Sequence, residues 1–387
     1  MKVVVVSPAV PHPFGETAAR GLYVLLAGLL ARGVDVTCLV VMEEDAARAR
    51  EARARLEGAG PGRFAMSLFA PTVRPAWRRR VRSLLRPFSE TLHAEGFAAA
   101  LAREAAAGYD VLHLDQLWSG WVGLRQPRTV LNVYQLEIVD WEHRRLQSLA
   151  EGKALVQMRR ATRRIVRGSR HLRVVSRRLQ ARLRELNADA RCSVVPFALD
   201  LSLYPVQPLA REPVVGLLGS MHWLPSRTAA ERLITRIWPL VRREVPRARL
   251  LVGGWNARRY LARHAGPDVT VVENVPHPLD VFSRIGVLAY APARGTGVKV
   301  KVLEALAYGV PVVTTGEGVE GVECEDGVHC WIREDDDALA ARIVELLGDE
   351  AQRGRFREAG RALVEARHAP ARVLEQMLEV YEAARQA

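Results

Sequence analysis

The sequence predicts two α/β domains, each a doubly wound parallel sheet covered by helices, facing one another across a cleft. Three observations predict it. The chain has 387 residues, more than one hydrophobic core ordinarily serves, because chains beyond about 250–300 residues tend to split. Short β-branched runs alternate with segments of helical apolar spacing in two separate series, the rhythm of parallel strands joined by helical crossovers. Between the series lies Pro205 to Pro213, a stretch with three prolines that reads as a linker.

The first series opens with Lys2 to Ser7, a β-branched strand, followed by an amphipathic helix from Thr17 to Arg32 and a strand from Val34 to Val41. Further strands are expected at Val111 to Leu114, Thr129 to Val133, His171 to Val175 and Cys192 to Val195. This domain is assigned residues 1–204, the linker 205–213 and the second domain 214–369. The second series has strands at Val214 to Leu218, Arg249 to Val252, Val269 to Val272, Val287 to Tyr290 and Pro311 to Thr314. Helices are expected at Thr228 to Arg243, Ala257 to His264 and Val298 to Tyr308. From Ala338 the pattern is nearly all helical, and residues 370–387 form an amphipathic helix suited to packing back across the domains.

Composition excludes several classes. Hydrophobic residues make up 49% and charged residues 26%, an ordinary globular balance. The first apolar run, Val3 to Val6, is too short for a signal-peptide core, and the longest, Gly21 to Ala31, is too short to span a bilayer. A cytoplasmic protein is expected. Cys38, Cys192, Cys324 and Cys330 form no CxxC pair, so free thiols are the default and neither a disulfide framework nor a zinc site is expected. The formal charge of +13 comes from 52 arginines beside four lysines. Arginines are spread over most predicted helices rather than gathered in a patch, so nucleic acid is not an expected partner.

In doubly wound sheets ligands sit beyond the carboxyl ends of strands. After Tyr290 comes Ala-Pro-Ala-Arg-Gly-Thr-Gly-Val-Lys-Val-Lys, with Gly295 and Gly297 directly before a predicted helix. Glycines let backbone amides approach a ligand, and a helix start presents N–H groups with partial positive charge. That is a diphosphate seat. Lys299 and Lys301 supply point charges suited to phosphate; the bland reading is a solvated helix face. Glu304, amid Val302, Leu303, Ala305 and Leu306, either faces solvent or has a partner, for which a pair of sugar hydroxyls would serve.

The run Lys-Val-Leu-Glu-Ala-Leu-Ala-Tyr-Gly-Val-Pro-Val-Val-Thr-Thr at 301–315 strongly resembles the donor-site signature of glycosyltransferase family 4. The resemblance continues through Gly219-Ser220-Met221-His222-Trp223, Ile237-Trp238-Pro239, Val245-Pro246 and Gly318 to Gly321. It covers the whole second domain and points to a bacterial subgroup tied to exopolysaccharide assembly. It implies two Rossmann-like domains in the GT-B arrangement and transfer from a nucleoside-diphosphate sugar, UDP-sugar first, with retention of configuration and no metal or other cofactor. The acceptor would be a glycan, a lipid-linked sugar or a small molecule. Glu304 would bind the donor ribose, and Gly219, Ser220, Arg294, Gly295, Thr296, Gly297 and Val298 would line the donor site. Catalysis would rest on Lys299, Lys301 and His113, with closure of the domains excluding water.

This sequence departs from the family pattern at three positions. Thr296 stands where relatives carry the first of two glutamates with seven residues between them, Lys299 where they carry a second motif glycine, and Ser220 where they carry an arginine. Arg227 or Arg294 is a candidate to replace that last charge. His222 is either a ligand or a buried structural residue.

First-domain resemblance is confined to Phe14-Gly15-Glu16, His113-Leu114-Asp115, Asn132 to Glu137 and Val194 to Asp200. It makes Gly15, Glu16, Asp115 and Glu137 acceptor-side candidates. His113 lies in a strand pattern, where core packing competes with substrate contact. The acidic run Glu334 to Asp337 is read as the first turn of a helix beginning near Asp337, complementing its dipole, rather than as a metal site.

Residues 76–88 place Trp77, Val81, Leu84, Leu85 and Phe88 on one helical face, with arginines at 78, 79, 80, 82 and 86 around it. Such a helix either packs on the first domain or rests on the inner face of a membrane. Two rivals to a transferase are a nucleotide-sugar epimerase of the same fold and a non-catalytic polyanion-binding protein.

Overall fold

The computed structural model describes residues 1–42, 46–124, 126–142 and 148–386. The chain divides into two compact units, Met1–Leu199 with Pro370–Ala387, and Asp200–Ala369. The first unit contains β1 (Lys2–Ser7), β2 (Asp35–Val41), β3 (Phe64–Phe69), β4 (Val111–Asp115), β5 (Thr129–Val133), β6 (His171–Val174) and β7 (Arg191–Val194). They form one sheet in the order β3-β2-β1-β4-β5-β6-β7, with every pairing parallel. Val3, Val4, Val5 and Val6 of the central strand are fully buried, as expected where helices cover both faces.

One face is covered by the helices Thr17–Ala31 and Pro370–Arg385. Leu22, Leu26, Leu29 and Leu30 of the first pack into a core that also holds Val373, Leu374, Met377 and Tyr381 of the second. Each such buried side chain contributes on the order of 2 kcal/mol. The C-terminal helix is therefore part of the first unit's core.

β3 escapes the sequence reading. It is an edge strand, Phe-Ala-Met-Ser-Leu-Phe, with a single buried residue, Met66, and it lacks the β-branched run that marks the inner strands. Of the helix Ala76–Leu85, Trp77 and Leu85 are exposed. The side chains of Arg79, Arg80, Val81 and Leu84 lie outside what the structure describes.

The second unit contains β8 (Val214–Leu218), β9 (Arg249–Gly254), β10 (Val269–Glu273), β11 (Val287–Tyr290), β12 (Val312–Thr314) and β13 (Trp331–Ile332), ordered β10-β9-β8-β11-β12-β13 and again all parallel. β13 has two residues and no periodicity to betray it. After β8 the chain is helical from Leu224 to Glu244, with a wide π turn at Leu233–Ile237. Pro239 lacks an N–H and crowds the carbonyl four residues earlier, and the wide turn lets the helix continue through it.

Asp335 caps the helix Asp336–Gly348 by accepting the Ala338 N–H at 2.7 Å. Asp336 pairs with Arg232 at 2.7 Å and also with Arg236. The acidic run is spent on capping and ion pairing. Among the described residues, no group of three or more His, Cys, Asp or Glu side chains is arranged to hold a metal, and no helix is long and apolar enough to cross a membrane.

Candidate functional site

The order of the second sheet reverses between β8 and β11, so the loops leaving these strands bound the crevice where such sheets bind ligands. The loop after β8 is held by hydrogen bonds from the Gly219 N–H to the Gly253 carbonyl (3.0 Å) and from the Met221 N–H to the Trp255 carbonyl (2.9 Å). This requires Gly254, whose φ is +135° and where an added Cβ would lie 2.0 Å from the Gly219 carbonyl oxygen. The loop after β11 turns through Gly295 and Gly297, at φ +152° and +83°, and enters the helix Val300–Tyr308. Of its first-turn amides, those of Val302 and Leu303 donate to the Lys299 carbonyl at 2.8 and 3.3 Å, and those of Val300 and Lys301 are too early in the helix to find an acceptor within it.

The two lysines take different positions. Lys301 extends across the face of Tyr290, 4.2 Å from the ring centre, and lies 5.2 Å from that of Trp223. Its ammonium donates to Ser226 Oγ at 3.1 Å. An added Cβ at Gly219 would meet Lys301 Cε at 2.9 Å, so this cation joins the two loops. Lys299 is 1% exposed. Its Nζ donates to the Gly297 carbonyl at 2.9 Å and lies 3.8 Å from the Glu320 carboxylate. The reading of Lys299 as a direct phosphate ligand is thereby revised, since its ammonium turns inward and braces the glycine turn.

Glu304 is 3% exposed and accepts a hydrogen bond from the Tyr204 hydroxyl at 3.4 Å. Tyr204 packs against Tyr308 (5.1 Å between ring centres), and Tyr308 against Phe282 (5.3 Å). Arg361 donates to the carbonyls of both Tyr204 and Ala307 at 2.7 Å. These contacts hold the glutamate-bearing helix to the chain entering the unit.

Gly219, Gly295, Lys299 and Lys301 are thus brought together around Trp223, while Thr296 and Val298 are buried in the turn. Ser220, His222 and Arg294 are exposed, and Arg227 stacks on Tyr260 at 4.6 Å. Lys301 is the cation that reaches the loop bearing Ser220, through Ser226 and the Gly219 backbone. Trp223 stands in the resemblance run from Gly219 but was given no role, and Ser226 was missed; the signal was their place at the start of the helix after β8.

In the first unit the order reverses between β1 and β4. Gly15 and Glu16 are exposed on the loop after β1, as an acceptor contact requires. Two assignments are corrected. Asp115 is fully buried, its carboxylate accepting from Ser7 Oγ (3.2 Å) and Asn132 Nδ2 (2.8 Å), so it ties together the ends of three strands and has no surface for an acceptor. His113 is also fully buried, with Nδ1 hydrogen-bonded to the Tyr381 hydroxyl at 2.9 Å. It is a core residue, not a catalytic one. Arg173, on β6, completes the network by donating to Asn132 Oδ1 (2.8 Å) and the Pro196 carbonyl (2.6 Å). A cavity of about 20 Å³ beside His113 and Arg173 has room for water, not for a sugar.

Glu137 remains a candidate. It is half-buried and accepts from Trp118 Nε1 at 3.3 Å, and Trp118 stacks on Phe88 at 4.6 Å. Phe88 and Gln116 both have left-handed backbones, at φ +62° and +68°. Such strain in non-glycine residues concentrates at functional sites. Trp118 was missed, though an aromatic just beyond a strand's carboxyl end was the available signal.

Burial raises the Glu137 pKa, with the Trp118 hydrogen bond opposing. The folded state therefore binds more protons than the unfolded state between the ordinary glutamate range and the raised value, and this carboxylate costs stability as pH rises through that window. Glu137→Gln is expected to raise the melting temperature at pH 7, with the gain shrinking below the ordinary glutamate range. Thermal scans from pH 4 to pH 8 check this.

Two parallel-sheet units, with a glycine loop, a cation and a buried glutamate at the second switch point, define a glycosyltransferase of the GT-B fold. Residues 18–203 match the model for Glycosyltransferase Family 4, and residues 212–349 that for Glycosyl transferases group 1. Between them these take in most of the chain, which belongs to glycosyltransferase family 4.

Solved structures agree in fold. Anabaena HepE, in complex with UDP and glucose, aligns at a TM-score of 0.70 and 16% identity over 99% of this chain and 100% of its own. A variant of S. aureus TarM, in complex with Fondaparinux, alpha-GlcNAc-glycerol and UDP, aligns at 0.69 and 8% identity over 98% and 99%. WaaG, a glycosyltransferase involved in lipopolysaccharide biosynthesis, aligns at 0.63 and 13% identity over 98% and 99%. No curated protein matches the chain by sequence.

Proposed function

We propose that this glycosyltransferase takes its sugar from a nucleoside-diphosphate sugar, UDP-sugars first, and transfers it with retention to a glycan acceptor in bacterial surface-polysaccharide assembly. The observation that carries the donor half is the convergence of Lys301, the Gly219 loop and the Gly295–Gly297 turn at the start of the helix bearing Glu304. As the bond from sugar to phosphate breaks, negative charge grows on the diphosphate. Lys301 and the helix amides stabilise it, and Glu304 accepts from the ribose hydroxyls. UDP in the HepE and TarM complexes supports the uridine choice.

On the first unit, Gly15, Glu16, Trp118 and Glu137 form the acceptor side, with the indole as a platform for a sugar ring. Trp77, Arg78 and Arg82 of the helix Ala76–Leu85 offer a contact to an anionic membrane carrying a lipid-linked acceptor. The resident cation takes the role a metal would play, so turnover is expected to persist unchanged in excess EDTA.

Nucleotide titration by calorimetry tests the donor assignment. Wild type is expected to prefer UDP over the other nucleoside diphosphates, and Glu304→Ala to weaken UDP about tenfold, the worth of one charge-assisted pair of hydrogen bonds. Equal response to every polyanion, or unchanged affinity in Glu304→Ala, would refute it.

A further inference from the structure

Cys324 and Cys330 sit on the segment that follows Glu320, outside the site described above. The chain reverses between them. The Val328 and His329 N–H groups donate to the Glu325 carbonyl at 3.3 and 3.1 Å, the Gly327 N–H donates to the Cys330 carbonyl at 2.9 Å, and Asp326 forms a β-bridge with Cys330. The turn sets Cys324 beside Cys330, near enough for its thiol to raise the Cys330 pKa. Cys330 is fully buried, whereas Cys324 is partly exposed and Glu325 to Val328 are exposed. Outside the turn, Arg333 pairs with Asp326 at 2.7 Å and Arg367 with Glu323 at 3.3 Å.

We propose that Cys324 and Cys330 are a peroxide-responsive dithiol, which closes to a reversible disulfide and locks the segment between Glu320 and β13. The neighbouring Cys324 thiol, then burial, raises the Cys330 pKa, so Cys330 keeps its proton and the accessible Cys324 sulfur is the nucleophile. Cys324 thiolate attacks hydrogen peroxide, breaking the O–O bond to give Cys324 sulfenic acid and hydroxide. The Cys330 sulfur then displaces the sulfenic oxygen as water, forming the S–S bond, its own proton leaving with that oxygen. Both thiols are oxidised and one peroxide is reduced to two waters. A thiol reductant reverses the step by exchange. The other two cysteines, Cys38 and Cys192, are buried elsewhere, in the other compact unit.

The test treats the full-length protein with a small excess of hydrogen peroxide. The number of titratable thiols after denaturation should fall from four to two. Peptide mass spectrometry should find one link, Cys324 to Cys330, removed by dithiothreitol. Amide exchange over 321–331 should slow roughly tenfold on oxidation, as local opening is suppressed. Cys324→Ser should abolish the link. Cys330→Ser should trap Cys324 as a sulfenic acid that dimedone labels, and Cys38→Ser should leave the link intact. A disulfide joining any other pair, over-oxidation of Cys324 without a link, or unchanged exchange in the linked protein would overturn the proposal.

Discussion

Lys301→Ala is expected to reduce turnover of the donor sugar by about 10²–10³-fold in kcat, the usual consequence of removing one group that stabilises developing negative charge. The Lys301 ammonium joins Ser226, Tyr290, Trp223 and the Gly219 backbone, whereas Arg294 is exposed and Lys299 faces its own turn. Lys301→Arg is expected not to restore activity, because a planar guanidinium does not fit between Tyr290 and Ser226 as a point charge does. Lys299→Ala should behave differently. It leaves the buried Glu320 carboxylate without its nearby cation, so its main effect is on folding, a loss of about 3 kcal/mol. Steady-state kinetics beside thermal melts separate the two. Equal kinetic losses with equal melting temperatures would show that the two lysines act alike.

Arg173→Met carries the largest expected effect on stability. The guanidinium is 5% exposed. Burial lowers its pKa, while Tyr134 and Asp115 act in the opposite direction. Its removal leaves Asn132 Oδ1 and the Pro196 carbonyl without this donor and takes away a positive charge that acts on the buried Asp115. Breaking such a network costs about 3–5 kcal/mol, a fall of roughly 10 °C or more in melting temperature. The damage belongs to the first unit, so UDP affinity measured below the transition should match wild type. Calorimetry on the intact chain checks both parts, and unchanged melting or lost UDP binding would contradict the account.

Much of this was legible before any coordinates. Inner strands announce themselves as β-branched runs because both their faces are buried, and the donor turn does so because glycines before a helix are a local pattern. The edge strands β3 and β13 were not legible, one having a single buried residue and the other being two residues long. Lys299 and Lys301 look alike in sequence. They stand two residues apart at a helix start, yet Lys299 folds back onto the Gly297 carbonyl while Lys301 crosses the Tyr290 ring to reach Ser226. His113 illustrates the same limit on a strand buried from both sides, where alternation cannot say which face meets a substrate.

By itself the sequence determined the two parallel-sheet units, the loops beyond their strands and the helix bearing Glu304, because each rests on periodicity or turn chemistry within a few residues. Only the tertiary structure decided that Asp115 meets Ser7 across 108 positions, that His113 meets Tyr381 across 268, and that Lys301 reaches Ser226 across 75. A side chain's role depends on the partner that desolvates or pairs with it, and partners far apart along the chain leave no local pattern.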